Sequence, residues 1–150
     1  MNNKELTILI PCLNEEKTLP ICIQKSQEFI KKENINAEIL IADNGSADKS
    51  VAIAKKLGAN VVEIKEKGYG NALRQGTLEA KGKYVIMADS DDSYNFLEIK
   101  PFLDELRKGY DLVIGNRFKG QMEKNAMPFT HKYIGTPILS FLIRRKYNIK

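Results

Sequence analysis

Cysteine is scarce. Cys12 and Cys22 are the only two among 150 residues, too few for a disulfide framework or a cysteine-rich metal site. Both sit in or beside the first apolar segments, where buried free thiols in a reducing compartment are expected. No basic and apolar leader precedes Leu6, so no signal peptide is expected and the cytoplasm is the expected location. The longest largely apolar stretch, Pro137 to Ile143, falls far short of the roughly 20 residues a membrane-spanning helix requires. A Pro/Gly/Ser-rich or low-complexity stretch is also missing, which excludes an internal linker and leaves one domain over residues 1–150 as the expectation. The net charge is +5, yet the lysines are spread over helix-like segments and no basic stripe interleaves with aromatics. Nucleic acid is therefore not an expected partner.

What the chain does have is a repeated alternation. Leu6 to Pro11 is a continuous apolar run ended by proline, the pattern of a strand buried on both faces. Thr18 then stands where it would cap a helix carrying Leu19, Cys22, Ile23 and Phe29. Strands are predicted over Glu38 to Ala42, Asn60 to Ile64, Tyr84 to Ala88 and Asp111 to Gly115. Helices are predicted over Lys49 to Leu57, Asn71 to Ala80 and Phe96 to Lys108, with Gly58, Gly82 and Gly109 as candidate terminators at positive φ. Strands alternating with helices of about ten residues imply an α/β fold, a mostly parallel sheet with right-handed crossovers and helices on both faces. Ligands bind such sheets at the carboxyl edge, in the loops that leave the strands.

Those loops hold the polar motifs. Pro11-Cys12-Leu13-Asn14-Glu15-Glu16 follows the first strand and contains no glycine. It cannot form the tight phosphate turn of a dinucleotide fold, which counts against an NAD-type oxidoreductase. It also lacks the basic, glycine-rich loop expected of a nucleotidyltransferase. After the second strand comes Asp43-Asn44-Gly45-Ser46-Ala47-Asp48. Asn44 and Gly45 supply a turn and Ser46 or Asp48 a helix cap, which leaves Asp43 without a structural duty and free to accept from the imide of a base. Lys67-Gly68-Tyr69-Gly70 opens the third helix, where Lys67 and the helix N-terminus would favour phosphate. The same glycines are equally a turn, with Gly76 admitting close helix–sheet packing.

After the fourth strand, Asp89-Ser90-Asp91-Asp92-Ser93 places three carboxylates within four residues. Asp92 or Ser93 would cap the next helix. Asp89 and Asp91 have no such use; their repulsion should raise one pKa unless a cation neutralises them, and a hard divalent ion suits oxygen ligands. Arg117, further on, could clamp phosphate bidentately or form a surface ion pair.

With these segments in order, the chain resembles family 2 of the inverting glycosyltransferases, in particular the polyprenyl-phosphate sugar transferases related to dolichyl-phosphate mannosyltransferase. The resemblance is carried by IPCLNEE, ADNGSAD, KGYGNALRQG and MADSDDSY, then DLVIGNRFKG and AMPFTHKYIGTP, from Leu6 to about Ser140. It implies a GT-A fold, a UDP- or GDP-sugar donor and Mg²⁺ or Mn²⁺. It also implies transfer with inversion to an undecaprenyl or dolichyl phosphate, peripheral contact with the cytoplasmic face of a membrane, and a place in cell-envelope glycan synthesis. Carried over residue by residue, Pro11, Asn14, Glu15, Asp43, Lys67, Gly70 and Asp89 bind the nucleotide sugar. Asp89 and Asp91 hold the metal, and Asp89, Asp91 and Arg117 serve the reaction; Glu16 is a further carry-over. His131 is either an acceptor or diphosphate contact or a loop histidine. Ile134 to Ile143 with Arg144, Arg145 and Lys146 is either an interfacial helix or an unfinished core helix. Catalytic domains of the family run on for many tens of residues past the equivalent of Lys150. The expectation is thus a donor side with an incomplete acceptor side, and the competing reading is a truncated, non-catalytic nucleotide-sugar-binding module.

Overall fold

Four runs of the chain become four parallel strands, the first two buried on both faces along most of their length and the other two only in part. The computed structural model describes residues 4–115, 130 and 134–147. In chain order the elements are β1 (Lys4–Cys12), α1 (Leu19–Glu33), β2 (Ala37–Asp43), α2 (Ser50–Lys56), β3 (Asn60–Glu63), α3 (Tyr69–Glu79), β4 (Gly82–Met87), a 3₁₀ turn (Phe96–Glu98), α4 (Lys100–Arg107) and α5 (Thr136–Tyr147). The sheet order is β3-β2-β1-β4, and every pairing is parallel.

Period-two alternation sorts the side chains between two cores. Leu6, Ile8, Ile10, Ile39 and Ile41 join Leu19, Cys22, Ile23 and Phe29 of α1 and Leu103 of α4 on one face. Leu9, Leu40 and Ala42 meet Ala72 of α3 on the other. Leu6, Ile8 and Ile10 are wholly buried; each such side chain contributes about 1.5–3 kcal/mol over its exposed form. Gly76 lets α3 approach the sheet, because a Cβ there would lie 2.6 Å from Leu9 Cδ1 and 3.0 Å from the Ala42 Cβ.

At the amino edge a buried carboxylate staples the sheet. Glu38 accepts the Thr7 hydroxyl at 2.8 Å, the Lys81 N–H at 2.7 Å and the Asn60 amide at 2.9 Å. The Gly82 N–H in turn donates to Thr7 Oγ1 at 2.9 Å.

The sequence expectations need four corrections. Gly82 is not a helix terminator: it lies within β4, where a Cβ would run into the backbone of Leu6 and Thr7. Gly58 and Gly109 do take positive φ, 78° and 98°. The helix expected over Phe96 to Lys108 is broken into a 3₁₀ turn and α4, since Pro101 in the first turn of α4 has no N–H to continue a preceding helix. The last expected strand, Asp111 to Gly115, is irregular; Leu112 and Ile114 are 74% and 78% exposed, and among the described residues no strand lies alongside to satisfy the backbone. Finally, Thr18 does precede α1, but its hydroxyl makes no cap and donates to Glu15 Oε2 at 2.7 Å.

The described residues form two units, one ending at Val113 and one beginning at Ile114. In the second, α5 exposes Ile138, Leu139, Phe141, Leu142 and Ile143 ahead of Arg144 and Arg145. Among the described residues no helix is long and apolar enough to cross a membrane.

Candidate functional site

The strand order reverses direction between β1 and β4, and at such a switch point the two loops part and open a crevice at the carboxyl edge. A cleft of about 260 Å³ lies there. Pro11 lines it from the end of β1, Leu13 and Glu15 from the loop that follows, Asn44 from the loop after β2, Tyr69 from the start of α3, and Asp89, Ser90 and Asp91 from the loop after β4. Four of the expected site residues, Pro11, Glu15, Asp89 and Asp91, are thus brought together. Asn14, Asp43, Lys67 and Gly70 are not in its lining. Arg117 and His131 lie outside the described residues.

Asn14 instead ties two loops together. It adopts φ 60°, its side-chain oxygen accepts the Ala47 N–H at 2.7 Å, and its own N–H donates to Ser46 Oγ at 2.9 Å. Glu15 and Glu16 extend the seam: the Glu15 N–H reaches Ser50 Oγ, the Glu16 N–H reaches Asp48 Oδ2, and the Lys49 N–H reaches Glu16 Oε2. Ser46 therefore serves Asn14 rather than capping α2, while Asp48 Oδ1 accepts the Ser50 N–H at 2.9 Å. The Ser50 hydroxyl and N–H hold the Asp48 carboxyl below its usual range.

Asp43 does have a structural duty, contrary to the sequence reading. Its Oδ2 accepts the Gly45 and Ser46 N–H groups at 3.0 and 3.1 Å, closing the turn after β2. Gly45 sits at φ 92° in that turn. The other oxygen, Oδ1, is buried with no hydrogen-bond donor among the described residues. An unsatisfied buried oxygen costs on the order of 1–3 kcal/mol, so this one calls for a reason.

Asn44 is a residue the sequence reading gave only to the turn. Its amide donates to the Glu66 carbonyl at 2.8 Å, and its Oδ1 accepts the Gly68 N–H at 2.6 Å. It thereby fixes the loop that begins α3. Lys67 closes the same junction, donating to the Asn44 carbonyl at 2.9 Å. Gly68, at φ 124°, carries the unusual backbone, whereas Gly70 has an ordinary one and open space where a Cβ would stand.

The acidic loop after β4 is held from both sides. Tyr69 donates to Asp89 Oδ1 at 2.7 Å, and that bond is the main cause pushing the phenol up to about 12. Asp91 Oδ1 accepts the Ser93 N–H at 2.9 Å. Hydrogen bonds from Ser93 hold the Asp91 carboxyl below its usual range, opposite to the rise that repulsion between neighbouring carboxylates would give. Asp92 caps no helix; the cap of the 3₁₀ turn is Asn95. Asp92 pairs with Lys25 of α1. Beneath the loop, the buried Cys22 thiol donates to the Ser90 carbonyl at 3.5 Å, and burial pushes that thiol up to about 11.

Both aspartates of the pair face the same cleft, and Asp89 Oδ2 has no donor among the described residues. Among those residues no three His, Cys, Asp or Glu side chains gather into a cage. Two hard oxygen donors with open positions suit an ion such as Mg²⁺ or Mn²⁺, which keeps waters and takes its remaining ligands from substrate phosphates.

Comparison with known proteins gives these features a context. Residues 7–150 match the family model described as glycosyl transferase family 2. The low-salt glycan biosynthesis hexosyltransferase Agl6 of Haloferax volcanii is 34% identical over 136 residues, which are 90% of this chain and 33% of that protein. The human dolichyl-phosphate beta-glucosyltransferase is 29% identical over 119 residues, 71% of this chain and 36% of that protein. Glucosyl-3-phosphoglycerate synthase of Mycobacterium tuberculosis, solved with UDP, superposes with a TM-score of 0.57 at 25% identity, covering 67% of this chain and 40% of that one. Solved with Mn²⁺, UDP and glucosyl-3-phosphoglycerate, the same synthase gives a TM-score of 0.52 at 26% identity, covering 58% and 33%. The chain spans about a third of the length of the hexosyltransferase and of the human enzyme.

Proposed function

Since the chain belongs to glycosyl transferase family 2 and has the α/β sheet of the GT-A enzymes, we propose that it binds a nucleoside-diphosphate sugar, UDP- or GDP-linked, and serves its transfer with inversion to a polyprenyl phosphate. The observation that carries this reading is the meeting of Asp89 and Asp91 with Pro11 and Glu15 in one cleft at the switch point of the sheet. The relatives support the choice of ligands, because the synthase binds UDP and Mn²⁺ and the human enzyme is named for dolichyl phosphate.

In this reading the residues divide the donor between them. Pro11 and Glu15 form the wall of the cleft against which the nucleoside lies. Asp43 Oδ1 accepts an imide N–H of the base, which gives the unsatisfied oxygen its partner. That oxygen is closed to solvent and Asp43 does not line the cleft, so the base reaches it only as the 43–46 turn shifts. Lys67, Gly70 and the first N–H groups of α3 then favour the diphosphate. Asp89 and Asp91 hold Mg²⁺ or Mn²⁺, and Arg117 is assigned to the phosphate. A bound divalent ion supplies charge neutralisation to the departing nucleoside diphosphate. The acceptor phosphate is anionic near neutral pH and attacks the anomeric carbon from the opposite face, with little need of a general base.

A lipid acceptor calls for contact with the cytoplasmic face of a membrane. The exposed apolar side chains of α5 beside Arg144 and Arg145 support that contact. The test is incubation of the chain with UDP- or GDP-sugars, Mn²⁺ and undecaprenyl or dolichyl phosphate. Formation of the glycosyl lipid with inverted anomeric configuration is expected, and a chain that binds donor yet forms no product contradicts the transfer step.

A further inference from the structure

The acidic loop after β4 receives one hydrogen bond from the start of α3, at Asp89. Tyr69 is the first residue of α3 and is 56% exposed, so its ring position owes little to core packing. Its hydroxyl nevertheless sits 2.7 Å from Asp89 Oδ1 and 3.9 Å from the Met87 sulfur. The backbone that presents it is fixed from the loop after β2: Asn44 Oδ1 accepts the Gly68 N–H, and the Asn44 amide holds the Glu66 carbonyl. One continuous set of hydrogen bonds therefore runs from the loop after β2, through residues 66–69, to a carboxylate of the loop after β4.

We infer that Tyr69 is a positioning residue for cation binding, orienting the Asp89 carboxylate so that Oδ2 faces the ion, and that through Asn44 it links the base side of the cleft to the metal side. This rests on the reading of Asp89 and Asp91 as cation ligands. The geometry favours support over competition. A phenol hydrogen bond occupies one lone pair of Oδ1 and leaves Oδ2 without a donor among the described residues, so the carboxylate is fixed in plane while one oxygen stays open. Partners that orient a ligating group in this way typically change metal affinity by about 10–100-fold when removed.

The test is Tyr69→Phe in the whole chain, which keeps the ring and removes only the hydroxyl. Mn²⁺ affinity is read from the electron paramagnetic resonance of free Mn²⁺ at saturating nucleotide, UDP or GDP according to which binds wild type, with the far-ultraviolet circular dichroism and the melting temperature without metal measured alongside. The expected result is Mn²⁺ binding weaker by about tenfold or more, with the circular dichroism unchanged and the metal-free melting temperature lower only by the few degrees that loss of one exposed hydrogen bond gives. Asn44→Asp keeps the acceptor for Gly68 and loses the donor to Glu66, and it is expected to weaken Mn²⁺ and UDP binding together. Mn²⁺ binding by Tyr69→Phe as tight as wild type, or tighter, overturns the inference. Failure of the underlying reading is distinct, because wild type would then bind no Mn²⁺, or Asp91→Asn would bind it equally well.

Discussion

Lys25 grips both carboxylate oxygens of Asp92, at 2.7 and 3.0 Å. The third acid of the cluster, at φ 60°, is thereby committed to α1. Lys25→Met should leave the fold intact and loosen the loop that carries Asp89 and Asp91. The pair is about a third exposed, so a loss of ~1 kcal/mol is expected, read as a fall of roughly 3 °C in melting temperature that shrinks at high salt. A melting temperature unchanged at low salt would contradict this account of the loop.

Glu38 is a stability residue. It answers three donors from three separate segments while only 8% exposed. Replacing it with Ala leaves the Thr7, Asn60 and Lys81 groups to find other partners, so Glu38→Ala is expected to lose about 3 kcal/mol, at the high end for an unsatisfied buried cluster. Urea denaturation measures it. Nucleotide affinity in the surviving folded protein should not change, since Glu38 lies at the edge of the sheet away from the cleft.

Gly76→Ala tests the packing of α3. The new methyl meets Leu9 Cδ1 and the Ala42 Cβ, and such overpacking costs about 1–3 kcal/mol. Gly70→Ala, with nothing within 4 Å of the new atom, should leave the melting temperature within a degree or two of wild type. Equal destabilisation by the two substitutions would contradict the placement of α3.

The Tyr69 phenol offers a pH test. Its pKa is raised above the ordinary 10 to about 12, chiefly by the bond to Asp89. A raised pKa means that the bond stabilises the fold fully below pH 10 and that this contribution is lost as pH rises toward 12. Ultraviolet phenolate titration of wild type against Tyr69→Phe isolates this one group. Asp89→Asn should bring it back toward 10, and a phenol that still titrates near 12 in that variant would deny the bond.

Much of this architecture could be read from residue order. The apolar runs at Leu6, Glu38 and Tyr84 are long enough to bury both faces, and the acidic and Asn-Gly loops that follow strands fall at one sheet edge, where Asp89 and Asp91 meet Pro11 and Glu15. Other features depend on partners distant in sequence. Nothing near Asn44 announces that it will hold Gly68, and Glu38 looks like an ordinary polar strand residue until Thr7, Asn60 and Lys81 converge on it. Gly82 looks like a helix terminator along the chain because its real constraint, the neighbouring backbone of β1, is visible only in the fold. Asp43 showed half of its character: the end of an apolar strand pointed to a ligand, while the turn it closes with Gly45 and Ser46 required the folded loop.

The most direct measurement of the central claim is thermal unfolding with UDP or GDP, each with and without Mn²⁺, for wild type and Asp91→Asn. Ligand at about a hundred times its dissociation constant adds ~2.7 kcal/mol, or roughly 5–10 °C. The account predicts that one nucleotide raises the wild-type melting temperature by this amount only when Mn²⁺ is present, and that Asp91→Asn abolishes the rise. An equal rise in the variant, or no rise with either nucleotide and Mn²⁺ in wild type, would contradict it.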